Sequence, residues 1–465
     1  MNDGLIGNAE MALKYALDRG ADEAEVLVTK AEILTINIEN GDTRFGGTDE
    51  HQGIGVRVVK NNSLGFTYAT LLSDSMVKEM VDRAFKVASV MKKDKFFFGF
   101  TEPKPPTKVD GVYDPALAFI TYDEAKSQAT RIIESAEALS KGIVPTFGVF
   151  ESSLRWFAIL NSNDLCADFT GTSVSAGVRT LYDYGTGTSN GLAFQNSRQL
   201  KNIDPENIGE RASSMALMSK NPTKVGSEEA TIILDPDAVA GLFQGVLLDA
   251  FNGDVVQKKG SFLYGKMGEK IASEDLTIID DGTLYDGCKT SSIDYEGAPT
   301  QRNVLIKRGI LQGYLYDKYT ADKERKVSTG NAVRSGGFGP YRDSRGREYR
   351  FPPKVGCTNF VVEKGMRRRE EMIDEVDNGY LISFAVGGGS PSSGDFSADA
   401  RNVYKIERGE IVFPVRQAVF TGNISDLLMN IEEIGVNSRS SGGLNPGEIY
   451  APSLMIKKGL VVGDL

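Results

Sequence analysis

Few residues in this sequence can do catalytic chemistry, and the shortage is informative. A single imidazole, His51, is present among 465 residues. Imidazole is the usual general base near neutral pH. His51 stands, however, in Thr48-Asp49-Glu50-His51-Gln52, which reads as a polar, solvated turn leading into a strand. One histidine cannot furnish a His-Glu-x-x-His zinc helix or a two-His-one-carboxylate iron site. The run Ser390-Pro391-Ser392-Ser393-Gly394-Asp395-Phe396-Ser397 follows three consecutive glycines, 387–389. A serine nucleophile there needs a base, and no Ser-x-x-Lys pattern accompanies it. Asp280, Asp281, Asp286, Asp294 and Glu296 crowd one stretch that could take a hard cation, although solvated turn carboxylates explain the same spacing. Tyr184-Gly185-Thr186-Gly187-Thr188 lacks the dinucleotide-binding spacing and a following helix, so it reads as a glycine loop between strands. Residues 323–350 carry eight basic side chains, with Phe338, Tyr341 and Tyr349 interleaved among glycines. Such a stretch binds an anionic or peptide ligand, orders against a partner subunit, or is a flexible solvated loop.

The elements that must position these residues follow from periodicity. Leu5, Ile6, Ala9, Ala12, Leu13 and Ala16 share one face of a helix over 4–19, stopped by Gly20. Alternation at Val26, Val28, Ile36 and Ile38 predicts a strand over 25–40. A connection at Gly46-Gly47 and a strand through Ile54, Val56 and Val58 follow, and Asn61-Asn62 turns into 64–70. Helices are expected over 74–92, 122–140 and 206–218. Strand-like runs at 144–151, 155–160 and 166–181 read as an antiparallel meander. Residues 219–229 are the best linker. Beyond it come a strand (230–234), a helix opened by Asp235-Pro236, and short strands at 276–279, 304–307, 312–316, 358–363, 380–386, 402–408 and 410–415. Lys307-Arg308-Gly309 and Glu407-Arg408-Gly409-Glu410 read as hairpin turns. The expectation is an α+β protein of two domains, 1–220 and 221–465, each with mostly antiparallel sheet and packed helices, the second richer in strand.

Lys and Arg total 53 and Asp and Glu 63, a formal charge of −10, which argues against a phosphate backbone as the main partner. Cys166, Cys288 and Cys357 form no Cys-x-x-Cys pair and read as reduced cytosolic thiols. The first residues lack the order of a signal peptide, and no apolar run approaches the ~18–20 residues that span a bilayer. A cytoplasmic protein without membrane or nucleic-acid partner is expected.

The second half carries a resemblance. Asp294-Tyr295-Glu296-Gly297-Ala298-Pro299-Thr300-Gln301-Arg302-Asn303-Val304, then Ser328-Thr329-Gly330-Asn331-Ala332, then Ser393-Gly394-Asp395-Phe396-Ser397 with Gly409-Glu410-Ile411-Val412 and Pro414-Val415-Arg416, resembles the TldD/PmbA family. Gly53-Ile54-Gly55-Val56-Arg57 in the first half is compatible with it. The resemblance implies a zinc metallopeptidase made of two kinds of subunit, once associated with DNA gyrase. A TldD-type chain holds zinc with a His-Glu-x-x-x-His helix and a downstream Cys, and a PmbA (TldE)-type chain lacks these. The imidazole positions and the Glu fall here on Gly245, Ala250 and Val246, and the Cys near Ser440-Ser441. The resemblance therefore implies a PmbA-type chain with no catalytic residue and no cofactor of its own, the zinc residing in a TldD-type partner. It implies an unfolded peptide as substrate, a heterodimer or a homodimer, and peptide or partner contacts at Glu296, Gly297, Gly330, Asn331, Gly388, Ser393, Gly394, Asp395 and Phe396. The degenerate helix is expected to pack against a catalytic subunit's helix, and the glycine-ended strands to receive peptide by strand addition. A stand-alone homodimeric peptide-binding scaffold is the alternative. An enzyme using Ser or carboxylate chemistry at 390–399 is a third reading.

Overall fold

The computed structural model describes residues 3–335, 346–441 and 449–463. Its first half runs twice through one order of elements. α1 (Asp3–Asp18) leads to β1 (Glu23–Glu39), β2 (Asp42–Lys60), β3 (Ser63–Ala69) and α2 (Asp74–Val90). After the short α3 (Pro115–Ala118), α4 (Tyr122–Ala138) leads to β4 (Ile143–Asn161), β5 (Cys166–Asp183), β6 (Thr188–Ser197) and α5 (Pro205–Met218). The six strands make one antiparallel sheet, β3-β2-β1-β4-β5-β6, in which β1 and β4 join the two units.

The period of two decides what each face does. Val26 and Val28 share one face with Ile54, Val56, Val58 and Ala158, and α1 and α2 cover them. Ile36 and Ile38 continue that face with Phe150, Val174, Ala176 and Val178, under α4 and α5. The two units use the same device to bring helix onto sheet. A Cβ on Gly65 of β3 would meet the Ala84 carbonyl oxygen at 2.0 Å, and one on Gly191 of β6 would meet that of Ala212 at 2.0 Å. Helix backbone lies directly on strand backbone at both places, which only glycine permits.

The second half contains β7 (Glu228–Leu234), α6 (Pro236–Val246), α7 (Gly253–Gln257), β8 (Ile278–Asp281), β9 (Arg302–Lys307), β10 (Ile310–Leu311), α8 (Lys318–Lys323) and β11 (Ala332–Val333). It continues with β12 (Lys354–Val355), β13 (Phe360–Val362), α9 (Arg369–Asp374), β14 (Asn378–Gly389), β15 (Asp395–Glu407) and β16 (Glu410–Pro414). β17 (Ala418–Asn423), α10 (Ile424–Met429), β18 (Ile431–Ile434), β19 (Arg439–Ser441), β20 (Ile449–Ala451) and β21 (Leu454–Gly463) complete it. β7 pairs with β14 and β21, β14 with β15, β15 with β17, and β17 with β21, so these strands close into a small barrel. Ile232, Leu234, Ile382, Phe396, Ala398, Phe420 and Ile456 belong to the large core of this half. Alternate residues such as Ile233, Leu381, Tyr404 and Ile406 pack with Met372, Ile373 and Val376 instead, at and just beyond α9. A second sheet has the order β10-β9-β8-β13-β20-β19.

Several local readings change. Gly46-Gly47 is no connection but lies within β2, beside a register shift between Thr35 and Asn37 of β1, and a Cβ on Gly46 would meet the Thr35 carbonyl oxygen at 1.7 Å. His51 therefore sits in a strand opposite Ala31, half-buried, and Arg347 donates to its Nε2 at 3.1 Å. The runs 144–151 and 155–160 are one strand, β4, whose Ser152-Ser153 is buried. The helix after Pro236 ends at Val246 and a separate 3₁₀ turn follows at Leu248–Phe251. The run 312–316 forms no strand: β10 precedes it at Ile310–Leu311, and Leu315 makes only an isolated bridge to Asn252. Gly185 and Gly187 lie in the turn between β5 and β6, the glycine loop between strands that the sequence suggests, while Gly191 of β6 packs under α5. Among the described residues no helix is long and apolar enough to cross a membrane.

Candidate functional site

The sheet face opposite the helices meets the second half, and the glycines of Gly53-Ile54-Gly55-Val56-Arg57 explain how. Ile54 and Val56 point under the helices; Gly53, Gly55 and Arg57 point the other way. A Cβ on Gly53 would lie 2.4 Å from the Tyr349 ring, and one on Gly55 would lie 2.4 Å from the Tyr349 carbonyl oxygen. Thr29 of β1 donates to the Gly346 carbonyl at 2.9 Å. Part of the basic stretch 323–350 is thus clamped on the sheet, and its residues 336–345 fall outside the described ones.

Arg57 then reaches across. Its Nε and Nη2 grip Glu25 at 2.8 and 2.6 Å, and Nη2 also bonds Glu296 at 2.9 Å. Arg334 bonds the same Glu25 at 2.5 Å. All four side chains are buried. Burial opposes the charge on Arg57, but Glu25 and Glu296 hold its guanidinium well above the ordinary value. Burial lowers Arg334 to about 10. The second oxygen of Glu296 accepts the Lys318 backbone N–H at 2.9 Å. Asp294 accepts the backbone N–H groups of Glu296, Ala298 and Ala332, and burial with Glu296 nearby pushes it up to about 8.

Glu296 and Gly297 belong to this seam, whereas Gly330 and Asn331 brace the second half behind it. Gly297 has φ +78 and faces Leu165 in the turn between β4 and β5, and Gly330 has φ +72 against the Pro299 carbonyl. Asn331 donates to Asp280 at 2.7 Å, and Asp280 also accepts the Thr358 N–H and hydroxyl. Burial raises Asp280 to about 6. The acidic stretch is thereby divided: Asp286 accepts from Ser197, Arg198 and Asn202 of the first half, and Glu296 binds Arg57. Among the described residues no three His, Cys, Asp or Glu side chains gather as a metal site.

The second set lies elsewhere, in the hairpin between β14 and β15. Gly394 has φ +81, the Asp395 N–H donates to Ser393, and Asn423 donates to Asp395 at 2.9 Å. Ser393, Asp395 and Gly388 are exposed. Phe396 is a correction: it is buried and packs on Phe420 with ring centroids 5.2 Å apart, so it is core and no contact surface. Strand addition at the glycines is corrected on one edge, because 387–389 already pair with 396–398 of β15.

α6 explains the remaining positions. A Cβ on Gly241 would meet the Ala385 carbonyl oxygen at 1.9 Å, and one on Gly245 that of Gly387 at 2.5 Å. Val246 packs on Gly389, and Ala250 is fully buried. Asp237, Gly241, Gln244 and Gly245 of α6 are half-buried, and the rest of the helix is buried within its own chain. Ser441 donates to Asp237 in the first turn of α6 at 2.5 Å. Gly, Val and Ala offer zinc no lone pair, and β14 fills the space a longer side chain at 245 needs.

Beside the end of this segment, between sheet face and second half, lies a cavity of about 290 Å³. Phe157, Phe169 and Arg198 line it from the sheet, and Asn252, Cys288 and Tyr295 from the other side. Glu25 and Arg198 escaped the sequence reading as site residues, whereas Asp280 stood among the crowded carboxylates and Arg334 in the basic stretch. Arg57 carried a signal too, in the glycine-alternating motif.

A model of the PmbA/TldA metallopeptidase C-terminal domain matches residues 227–463, and models of domain 1 and the central domain match 24–88 and 115–220. The chain belongs to the PmbA/TldD family. The PmbA/TldD domain 1 and central domain are thus the two repeated units of a single sheet. An uncharacterized protein of Methanocaldococcus jannaschii, MJ0231, is 31% identical, covering 94% of this chain and 95% of its own. Metalloprotease PmbA of Escherichia coli O157:H7 is 26% identical, covering 96% and 95%. The crystal structure of TldE from Thermococcus kodakarensis superposes with TM-score 0.89 at 26% identity, covering 99% and 100%. The fold and sequence together make this a PmbA/TldE-type member of the family.

Proposed function

We propose that this chain is the non-catalytic PmbA/TldE-type subunit of a cytoplasmic zinc metallopeptidase, paired with a TldD-type chain that carries the zinc and acting on unfolded peptides. The observation that carries the reading is α6. Its ligand positions are Gly245, Val246 and Ala250, and close packing of Gly245 on β14 leaves no room for an imidazole. In this reading the chain contributes surfaces and no Lewis acid. Glu296 and Gly297 join the two halves beside the cavity, while Gly330 and Asn331 fix the second half's own loop there. The exposed hairpin residues Gly388, Ser393 and Asp395 meet the partner or the peptide.

The test is hydrolysis of an unstructured peptide by this chain alone, by a TldD-type chain alone, and by the two co-expressed, each with and without a zinc chelator. Cleavage only by the co-expressed pair, abolished by chelation, is expected. Chelator-insensitive cleavage by this chain alone overturns the reading.

A further inference from the structure

Arg198 follows the last residue of β6 and is 7% exposed. Its guanidinium donates to three backbone carbonyls: Nε to Gly287 at 3.0 Å, Nη1 to Thr172 at 3.0 Å and Nη2 to Thr290 at 2.8 Å. Asp286 is close in space but is used otherwise. It accepts the Arg198 backbone N–H at 2.8 Å, the Ser197 hydroxyl at 2.9 Å and the Asn202 amide at 2.7 Å. The guanidinium is therefore steered by carbonyl dipoles, with no carboxylate bonded to it. A guanidinium has five N–H groups. Three are used here, and one on each terminal nitrogen remains. Burial lowers the Arg198 pKa, opposed by nearby Cys288, and the charge of Arg155 lowers it further.

Two more groups in the cavity wall are incomplete. Asn252 is 6% exposed, and its Nδ2 is fixed by donating to Asp249 at 3.1 Å, while its Oδ1 is buried without a donor. The Ser291 hydroxyl is buried without a partner as well. A buried acceptor without a donor costs free energy until one arrives. Apolar surface completes the wall: Phe157 stacks on Tyr295 with centroids 4.5 Å apart, and Phe169 lies under Arg198.

We propose that this cavity captures the C-terminal residue of a peptide, its carboxylate on the two remaining Nη N–H groups of Arg198. The apolar side chain lies against Phe157 and Phe169, and the last amide N–H donates to Asn252 Oδ1. Two N–H groups suit the two oxygens of a carboxylate. A phosphate site usually gathers more donors, as helix N-termini and Lys-Arg clusters do. The volume, about 290 Å³, suits a terminal residue with its neighbouring peptide group and excludes a folded chain. The inference rests on the peptide-processing reading and assigns this subunit a part in it: anchoring one end of the substrate.

The experiment compares two fluorescein-labelled peptides of alanine, leucine and serine, identical except that one ends in a free carboxylate and the other in an amide. Binding is followed by polarisation, to this chain alone and to the co-expressed pair. The free acid is expected to bind about tenfold more tightly, the loss expected for one charge-assisted pair. Arg198→Gln is expected to abolish the difference. Asn252→Ala, which leaves every bond of Arg198 in place, is expected to weaken both peptides severalfold while preserving it. Equal affinity for acid and amide overturns the anchoring proposal and leaves the peptidase reading standing. Binding of neither peptide by chain or pair overturns the proposal too, whereas the peptidase reading is judged separately by hydrolysis.

Discussion

Replacing Arg57 by Met keeps most of the side-chain volume and removes the charge that joins the two halves. Arg57 makes three charge-assisted bonds, two to Glu25 and one to Glu296, with all three residues at most 6% exposed. Glu25 retains Arg334, but Glu296 is left with a single backbone N–H, that of Lys318. Removing one member of a buried pair typically costs about 3–5 kcal/mol, because the remaining charge stays buried. Since Glu25 keeps a partner and Glu296 does not, most of that loss belongs to Glu296. Glu296→Gln in the Arg57→Met background should therefore recover part of it, with a coupling of about 0.5–3 kcal/mol. Sign and pH agree. Burial already raises the Glu296 pKa, opposed chiefly by Arg57, so in the variant Glu296 takes up a proton more readily and the deficit shrinks at lower pH. Urea denaturation of wild type, the two single variants and the double variant, at pH 5.5 and 7.5, measures each quantity. A loss under about 1 kcal/mol for Arg57→Met, or strict additivity with Glu296→Gln, would refute the claim that this bridge holds the halves together.

The other expectations concern single sites. Asp280 is raised from its ordinary 3.8 to about 6, so between those values the unfolded chain releases a proton that the folded chain keeps. Its contribution therefore falls as pH rises through that window, by about 3 kcal/mol, and is level above it. Asp280→Asn, which mimics the protonated carboxyl, should flatten the slope of urea midpoint between pH 4 and 6 relative to wild type; parallel slopes would contradict this. Gly245→His, even combined with Val246→Glu and Ala250→His, should yield no folded zinc protein, because β14 backbone lies 2.5 Å from the Cβ position. A soluble variant with one zinc per chain by atomic absorption would show that reasoning to be wrong. Gly53→Val should displace Tyr349, whose ring lies 2.4 Å from the new Cβ, and speed tryptic cleavage between the halves; unchanged digestion would argue that Tyr349 does not dock there firmly.

Much of the local fold was legible because it depends on short-range patterns. Alternation at Val26, Val28, Ile36 and Ile38 marked a strand with one apolar face. Asn61-Asn62, Arg308-Gly309 and Arg408-Gly409 all adopt the positive φ that two-residue hairpins need. What misled was polar sequence inside long strands. Ser152-Ser153 and Asp49-Glu50-His51 look like turns when each residue is judged alone, yet the sheet continues through them. Ser153 bonds Ser173 across the strands and Arg347 bonds His51.

The site divides along the same line. From residue types alone it follows that this chain has one imidazole, and the family resemblance implies that the zinc positions fall on Gly245, Val246 and Ala250. Ligand chemistry is a property of side-chain atoms, so their absence needs no structure. The seam was decided only by tertiary contact. Glu25 and Arg334 are 309 residues apart, and Arg57 and Glu296 are 239 apart. A carboxylate in the sequence looks the same whether water or a guanidinium surrounds it. Burial in one shared interface is what turns these four charges into a bridge, and leaves Arg198, beside them, facing a cavity with carbonyls for company.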